Sequence, residues 1–367
     1  MNSAVSKLIK GYRGSSLNKL LYGVLARGAR ASVPGPDMSL DEAHRVMDSY
    51  HEKPADGSRT HAFLHPESLD LSIIVPAYNV VGFIGPCLES IERQDLPFPF
   101  ELIIVNDGST DGTGEAVARF AEKHDWVVLI NQANAGLSAA RNRGIEIARG
   151  CLLTFIDSDD MLESGYLAAL CRDIGEADYI SSLWSWIDED GSHKRLGETR
   201  RTFGAPWARV FRREVWNDIR FPVGYYYEDT ILSYLVEGSF KEVASNLSGY
   251  LYRLRRTSIN STGASSPKAL DTYWILEYLL DECRRLGIPF DDRLYRRTVF
   301  QMGRIMYRRL RNAPPEVQLA AFTASCHLLR SSFGEDCRGI CEGRDRDVET
   351  ALYTANYKLW RFATRWV

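Results

Sequence analysis

The chain of 367 residues reads as an α/β protein: a mostly parallel sheet flanked by helices, with a basic N-terminal extension and a C-terminal helical subdomain. Three observations predict this. From Leu71 onward, apolar runs of strand length alternate with stretches of helical periodicity. The strands end in polar or turn-rich groups, most sharply in Phe155-Ile156-Asp157-Ser158-Asp159-Asp160, where three carboxylates follow an apolar run. From residue 268 onward the pattern is largely helical.

Taken in order, residues 1–67 form a basic amphipathic extension and linker. Leu8, Ile9, Tyr12, Leu20, Leu21, Val24 and Leu25 recur at roughly helical spacing, and residues 1–32 carry six basic residues and no acid. Such a helix either docks on a membrane surface or partner, or packs on its own catalytic domain. Strands are expected at Leu71–Val75, Leu102–Val105, Val127–Ile130 and Leu152–Ile156, with helices at Phe83–Ile91, Ala116–Ala121 and Leu137–Ala148 between them. This alternation argues for parallel strands joined by right-handed crossovers. The strand ends then share one edge, where Tyr78, Asp107 and Asp157 should converge. No G-x-G-x-x-G follows the first strand; Pro76-Ala77-Tyr78-Asn79 stands there instead, which disfavours a nicotinamide dehydrogenase. Further on, Ser181–Ile187 is an expected strand and Thr230–Glu237 an expected helix.

Composition sets outer bounds. Length favours two or more structural units, and a net charge of −3 carries no nucleic-acid signal. Seven scattered cysteines without a CxxC pair fit a reducing cytosol. The uncharged run 71–88 is broken by Pro76, Asn79, Gly82, Gly85 and Pro86, so no membrane span is expected. His51, His61 and His65 read as solvated linker residues. In the tail, Tyr353, Tyr357 and Trp360 share one helical face near Lys358, Arg361 and Arg365, and residues 284–311 hold nine arginines against two acids. The pattern suits anionic lipid or a lipid-diphosphate acceptor, with packing inside a helical subdomain as the competing reading.

The carboxylate cluster suits a hard cation such as Mn²⁺ or Mg²⁺ arriving with substrate phosphates. Alternatively it is an acidic helix start, with Asp160 capping. Four segments shift the balance: Ser72-Ile-Ile-Val-Pro-Ala-Tyr-Asn79, Asn106-Asp-Gly-Ser-Thr-Asp111, Asn134-Ala-Gly-Leu-Ser-Ala-Ala-Arg-Asn142 and Asp157-Ser-Asp-Asp160. In this order and spacing they resemble the family 2 glycosyltransferases over roughly residues 70–255. The resemblance implies a GT-A fold and sugar transfer from a nucleotide-activated donor, usually with inversion and a divalent metal.

It also implies roles. Pro76, Ala77, Tyr78 and Asn79 would meet the base, and Asp107 would accept from its imide, favouring a UDP-sugar. Arg141 would reach the base or phosphates. Asp157, with Ser158 beside it, would meet the ribose, and Asp159 would hold the metal beneath the diphosphate. Trp207 is a candidate sugar platform, or equally a core residue. Glu228-Asp229 resembles the catalytic-base motif, with Asp229 the base. Arg255 and Ser258 lie in a segment resembling a loop that closes over the diphosphate. The expected division is 1–67 for the extension, 68–262 for the GT-A domain (nucleotide half about 70–160, acceptor half about 161–262) and 263–367 for the helical subdomain. The acceptor implied is a lipid-linked or polymeric glycan of the bacterial surface, and the place of action the cytoplasmic side of the membrane. A sugar-nucleotide pyrophosphorylase is disfavoured because its early Gly-rich loop with a basic residue is absent. A non-catalytic nucleotide-sugar binding module is disfavoured because every expected acidic position is filled.

Overall fold

The computed structural model describes residues 22, 25–31, 38–55, 62–191, 194–201 (backbone only), 204–255 and 265–365. Ser258, His61, Val24 and residues 1–21 of the basic extension lie outside the described residues. The chain divides into two compact units: Pro54–Ser261 with Asp281–Ile288, and Met1–Lys53 with Thr262–Leu280 and Pro289–Val367.

Helix α1 (Leu40–Tyr50) belongs to the second unit; the first is built on one sheet. Its early elements are β1 (Leu69–Ala77), α2 (Val81–Glu92), β2 (Phe100–Asp107), α3 (Thr113–Ala121), β3 (Val127–Gln132), α4 (Leu137–Ile147) and β4 (Gly150–Phe155). Short β5 (Met161–Leu162), α5 (Tyr166–Asp173), β6 (Tyr179–Ile187), β7 (Lys194–Arg201), β8 (Arg209–Arg212) and β9 (Glu242–Arg253) complete it. Strand order is β3-β2-β1-β4-β8-β6-β9-β5, with β7 beside β6. The first four strands pair in parallel, with Ile74 opposite Ile103 and Phe155. Beyond β4 the sheet is mixed: β8 runs antiparallel to β4 and β6, while β6 and β9 are parallel. The architecture is GT-A-like.

The early elements form where apolar periodicity predicts, because β1 and β2 are covered on both faces and can be almost wholly apolar. Glycine matters at one position here. A Cβ on Gly144 would collide with Ile74 Cγ2, so its absence lets α4 lie close against β1. Strands β5, β7, β8 and β9 were not legible in the sequence; β9, Glu-Val-Ala-Ser-Asn-Leu-Ser-Gly-Tyr-Leu-Tyr-Arg, has weak alternation and few branched residues. The expected helix at Thr230–Glu237 is instead a short turn, Glu228–Thr230, followed by a wide helical turn at Leu232–Val236. Tyr227 enters it in the left-handed region at φ 65°, a costly conformation for an aromatic residue.

The helical unit holds α6 (Asp271–Arg285) as far as Leu280, then α7 (Asp292–Phe300), a bend, α8 (Met306–Arg309), α9 (Pro315–Phe333), α10 (Gly343–Tyr353) and α11 (Tyr357–Arg365). α1, capped by Ser39, packs on α9. Trp360 is fully buried and donates from Nε1 to Met302 O at 2.9 Å, and Tyr353 is buried too. The aromatic face expected to meet lipid is therefore largely core, which corrects that reading of Tyr353 and Trp360. Lys358 and Arg365 stay exposed. Among the described residues no helix is long and apolar enough to cross a membrane.

Candidate active site

The three strand-end carboxylates have different surroundings. Asp160 is buried; its Oδ2 accepts from the Tyr250 hydroxyl at 2.7 Å and its Oδ1 from the Arg253 amide at 2.7 Å. Burial, then the charges of Asp159 and Asp157, hold its carboxyl well above the usual carboxylate range. It neither caps a helix nor offers a free oxygen for a cation, so at most two carboxylates of the cluster remain for that role. Asp159 Oδ2 lies 2.6 Å from Arg255 Nε, an ion pair rather than an aligned hydrogen bond. Burial and then Asp157 raise the Asp159 carboxyl, against the pull of Arg255 and Arg253. Both of these guanidiniums lie over the Phe83 ring, at 5.5 Å for Arg253 and 5.2 Å for Arg255. Ser158 is buried beside them.

Asp157 Oδ1 pairs with Arg141 Nη2 at 2.8 Å, and Arg141 Nη1 pairs with Glu228 Oε1 at 2.8 Å. Arg141 is only 2% exposed. Burial lowers its basicity, but Asp157, Glu228 and then Asp229 more than offset this and raise it. The guanidinium is thus a fixed charge linking the end of β4 to the turn that carries Asp229. Asn142, next on α4, holds the same loop: its Nδ2 donates to Phe221 O at 2.8 Å and its Oδ1 accepts from Phe221 N at 2.9 Å. Asp229 is half-buried.

At the ends of β1 and β2 the expected base contacts separate. Tyr78 is 48% exposed, whereas Pro76 and Ala77 are buried in the strand. Asn79, at φ 50°, accepts from Thr110 N at 2.8 Å and organises its own loop. Asp107 is buried; Oδ1 accepts from Gln132 Nε2 at 2.7 Å and Ala135 N at 2.9 Å, and Oδ2 from Gly136 N at 2.8 Å. Its oxygens also tie down the turn before α4.

The sequence model described as Glycosyl transferase family 2 matches residues 72–232, the stretch holding all these carboxylates. The chain carries a family 2 glycosyltransferase domain. Its curated relatives include the glycosyltransferase GlyA of Streptococcus pneumoniae serotype 4, 33% identical over 52% of this chain and 31% of that protein. Another is the uncharacterized glycosyltransferase YibD of Escherichia coli K12, 34% identical over 55% of this chain and 66% of that one. The aligned parts thus span 31% of the first relative and 66% of the second. Among solved structures, S. aureus TarS 1-349 in complex with UDP-GlcNAc is 18% identical with a TM-score of 0.63, covering 81% of this chain and 90% of that one, a likeness of fold.

Within the glycosyltransferase domain, Trp207 is half-buried and stacks on Tyr250 with centroids 4.8 Å apart and planes at 18°. Trp184, Trp186 and Tyr252 extend this aromatic cluster through edge contacts of 4.5–5.6 Å. Because the Tyr250 hydroxyl touches Asp160, the cluster adjoins the carboxylates. Tyr250 and Arg253, which hold the strand end together, were missed in the sequence; the only signal was a Tyr and an Arg in a weakly alternating stretch. For a divalent cation, Asp159 with Asp157 supplies hard oxygen donors whose mutual repulsion a cation would relieve, so the chemistry fits. Among the described residues no three His, Cys, Asp or Glu side chains form a ready-made cage, so other ligands would have to come from elsewhere.

Proposed function

We propose that the domain is an inverting glycosyltransferase moving a sugar from a nucleotide-diphosphate donor, a UDP-sugar, to a hydroxyl of a lipid-linked or polymeric surface glycan. One observation carries the reading: Arg141 pairs with Asp157 through one nitrogen and with Glu228, the neighbour of Asp229, through the other, which supports a donor residue and a base acting at one site. In the proposed reaction Asp229 takes the proton of the acceptor hydroxyl as its oxygen bonds to the anomeric carbon. The bond from that carbon to the diphosphate breaks, and its electron pair leaves with the nucleoside diphosphate. Tyr78 supplies an exposed ring for the base, and Asp157 an acceptor for the ribose. Arg255, paired with Asp159, would offer its guanidinium to the diphosphate. Asp159, with Asp157 alongside, would hold Mn²⁺ or Mg²⁺, which supplies charge neutralisation to the departing diphosphate.

Trp207, stacked on Tyr250 beside the carboxylates, is the proposed platform for the acceptor sugar. The seven cysteines are all unpaired, which supports a reducing compartment, the cytoplasm, as the place of action. Any peripheral contact with anionic membrane would be electrostatic, through residues such as Lys358 and Arg365. The test is turnover of a panel of UDP-sugars in Mn²⁺, with the anomeric configuration of the product read by NMR. Release of UDP with an inverted product supports the reading. A pyrophosphorylase would instead form nucleotide sugar from a nucleoside triphosphate, and an inactive module would bind UDP without turnover.

A further inference from the structure

We propose that Arg141 and Glu228 are positioning residues that set the placement of Asp229, and that Arg141 acts through Glu228 rather than by touching the donor. The proposal rests on the glycosyltransferase reading above and deepens it.

Four observations converge. Arg141 is buried, and its two terminal nitrogens are both engaged, one by Asp157 and one by Glu228, each at 2.8 Å. A guanidinium so enclosed is poorly placed for a direct contact with base or phosphate. Glu228 immediately precedes Asp229, within a three-residue turn entered through the left-handed Tyr227. Such a turn lacks the ladder of a helix to fix it, so a charged anchor has more to do. The second anchor is Asn142, whose amide grips Phe221 N and O while the Arg141 guanidinium lies 5.2 Å from the centre of the Phe221 ring. The third link is Gly144, which lets α4 sit close on Ile74 of β1. Helix α4 thus connects the parallel sheet to the loop of the base. A planar fork aimed at two carboxylates in two directions is something lysine cannot reproduce.

The experiment compares wild type, Glu228→Gln, Arg141→Lys and the double variant, each full length and checked by thermal melting. Transfer rate and UDP affinity in Mn²⁺ are measured. A displacement of about 1 Å at a base costs on the order of 10²-fold, so Glu228→Gln should lower kcat by about 10- to 10²-fold. Its UDP affinity should stay within about threefold, a split that a general loss of structure would not give. The double variant should be little worse than the poorer single one, since both cut the same link. Arg141→Lys that weakens UDP binding tenfold, beside a Glu228→Gln enzyme at full rate, would overturn the proposal and restore a donor contact. Multiplying effects in the double variant would overturn it as well. If Arg141→Lys does not fold, Glu228→Gln still decides: full kcat sinks the proposal. A wild type that turns over no sugar nucleotide would instead sink the glycosyltransferase reading, and this proposal with it.

Discussion

The Tyr250 hydroxyl joins two aspartates of one strand end: it donates to Asp160 Oδ2 at 2.7 Å and accepts from the Asp157 amide at 3.2 Å. Tyr250→Phe keeps the ring on Trp207 but leaves the buried Asp160 carboxylate and the part-buried Asp157 amide each short of a partner. Each such loss costs about 1–3 kcal/mol. The variant should therefore unfold earlier in urea and bind UDP more weakly, because Asp157 sits on the same hydroxyl. Unchanged melting would show that water replaces the hydroxyl without cost.

The metal reading gives a second expectation. UDP should bind more tightly in Mn²⁺ than in EDTA, because phosphates complete the shell that Asp159 begins. Calorimetry on Asp159→Ala should show that difference vanish. Equal UDP affinity in Mn²⁺ and EDTA for the wild type would count against a metal role.

Asp229→Asn keeps shape and removes basicity. It should cut turnover by about 10²- to 10⁴-fold, the range of a positioned base, while UDP affinity barely moves. A near-normal rate would remove Asp229 from the mechanism and bring Glu228 forward. Lost UDP binding would assign Asp229 to the donor side.

Burial pushes the thiols of Cys171, Cys326 and Cys341 up to about 12. For Cys326, Arg330 opposes that rise. A raised thiol contributes stability fully below the unfolded value of about 8.5, and that contribution fades as pH climbs from there towards 12. Alkaline urea melts should show this loss, and Cys326→Ala should lessen the slope above pH 8.5. At pH 8 maleimide should label these three thiols slowly in the folded protein and fast in urea. Rapid labelling of the native protein at Cys326 would contradict its burial.

Much of the fold was legible because its early strands are apolar runs buried on both faces, a pattern independent of distant residues. That the segments after β1, β2 and β4, with Tyr78, Asp107 and Asp157, lie at one edge of the sheet followed from strand direction alone. What could not be read was which polar groups satisfy one another. Asp160 meets Tyr250 and Arg253 across some ninety residues, and Asp107 closes a turn 28 residues on. A carboxylate that recognises a ligand and one that ties down a backbone look alike in a sequence. Arg141 shows the same limit: residue type announced a charge, while its burial between Asp157 and Glu228 came from folding. β9 escaped notice because serine, asparagine and glycine dilute its alternation.

The packing of α1 on α9 has a consequence for synthesis on the ribosome. The helical unit is discontinuous in sequence, so α1 emerges long before its main partner. The whole sheet unit up to Ser261 is made in between, and most of its contacts can form first. Until then α1 must wait with Ala43 and Met47, its buried side chains, uncovered. Closing so long a loop costs little more entropy than closing one half its length, so the delay is a matter of time rather than of equilibrium. The nascent chain therefore carries an unsatisfied apolar stripe through most of its translation, a natural target for a chaperone.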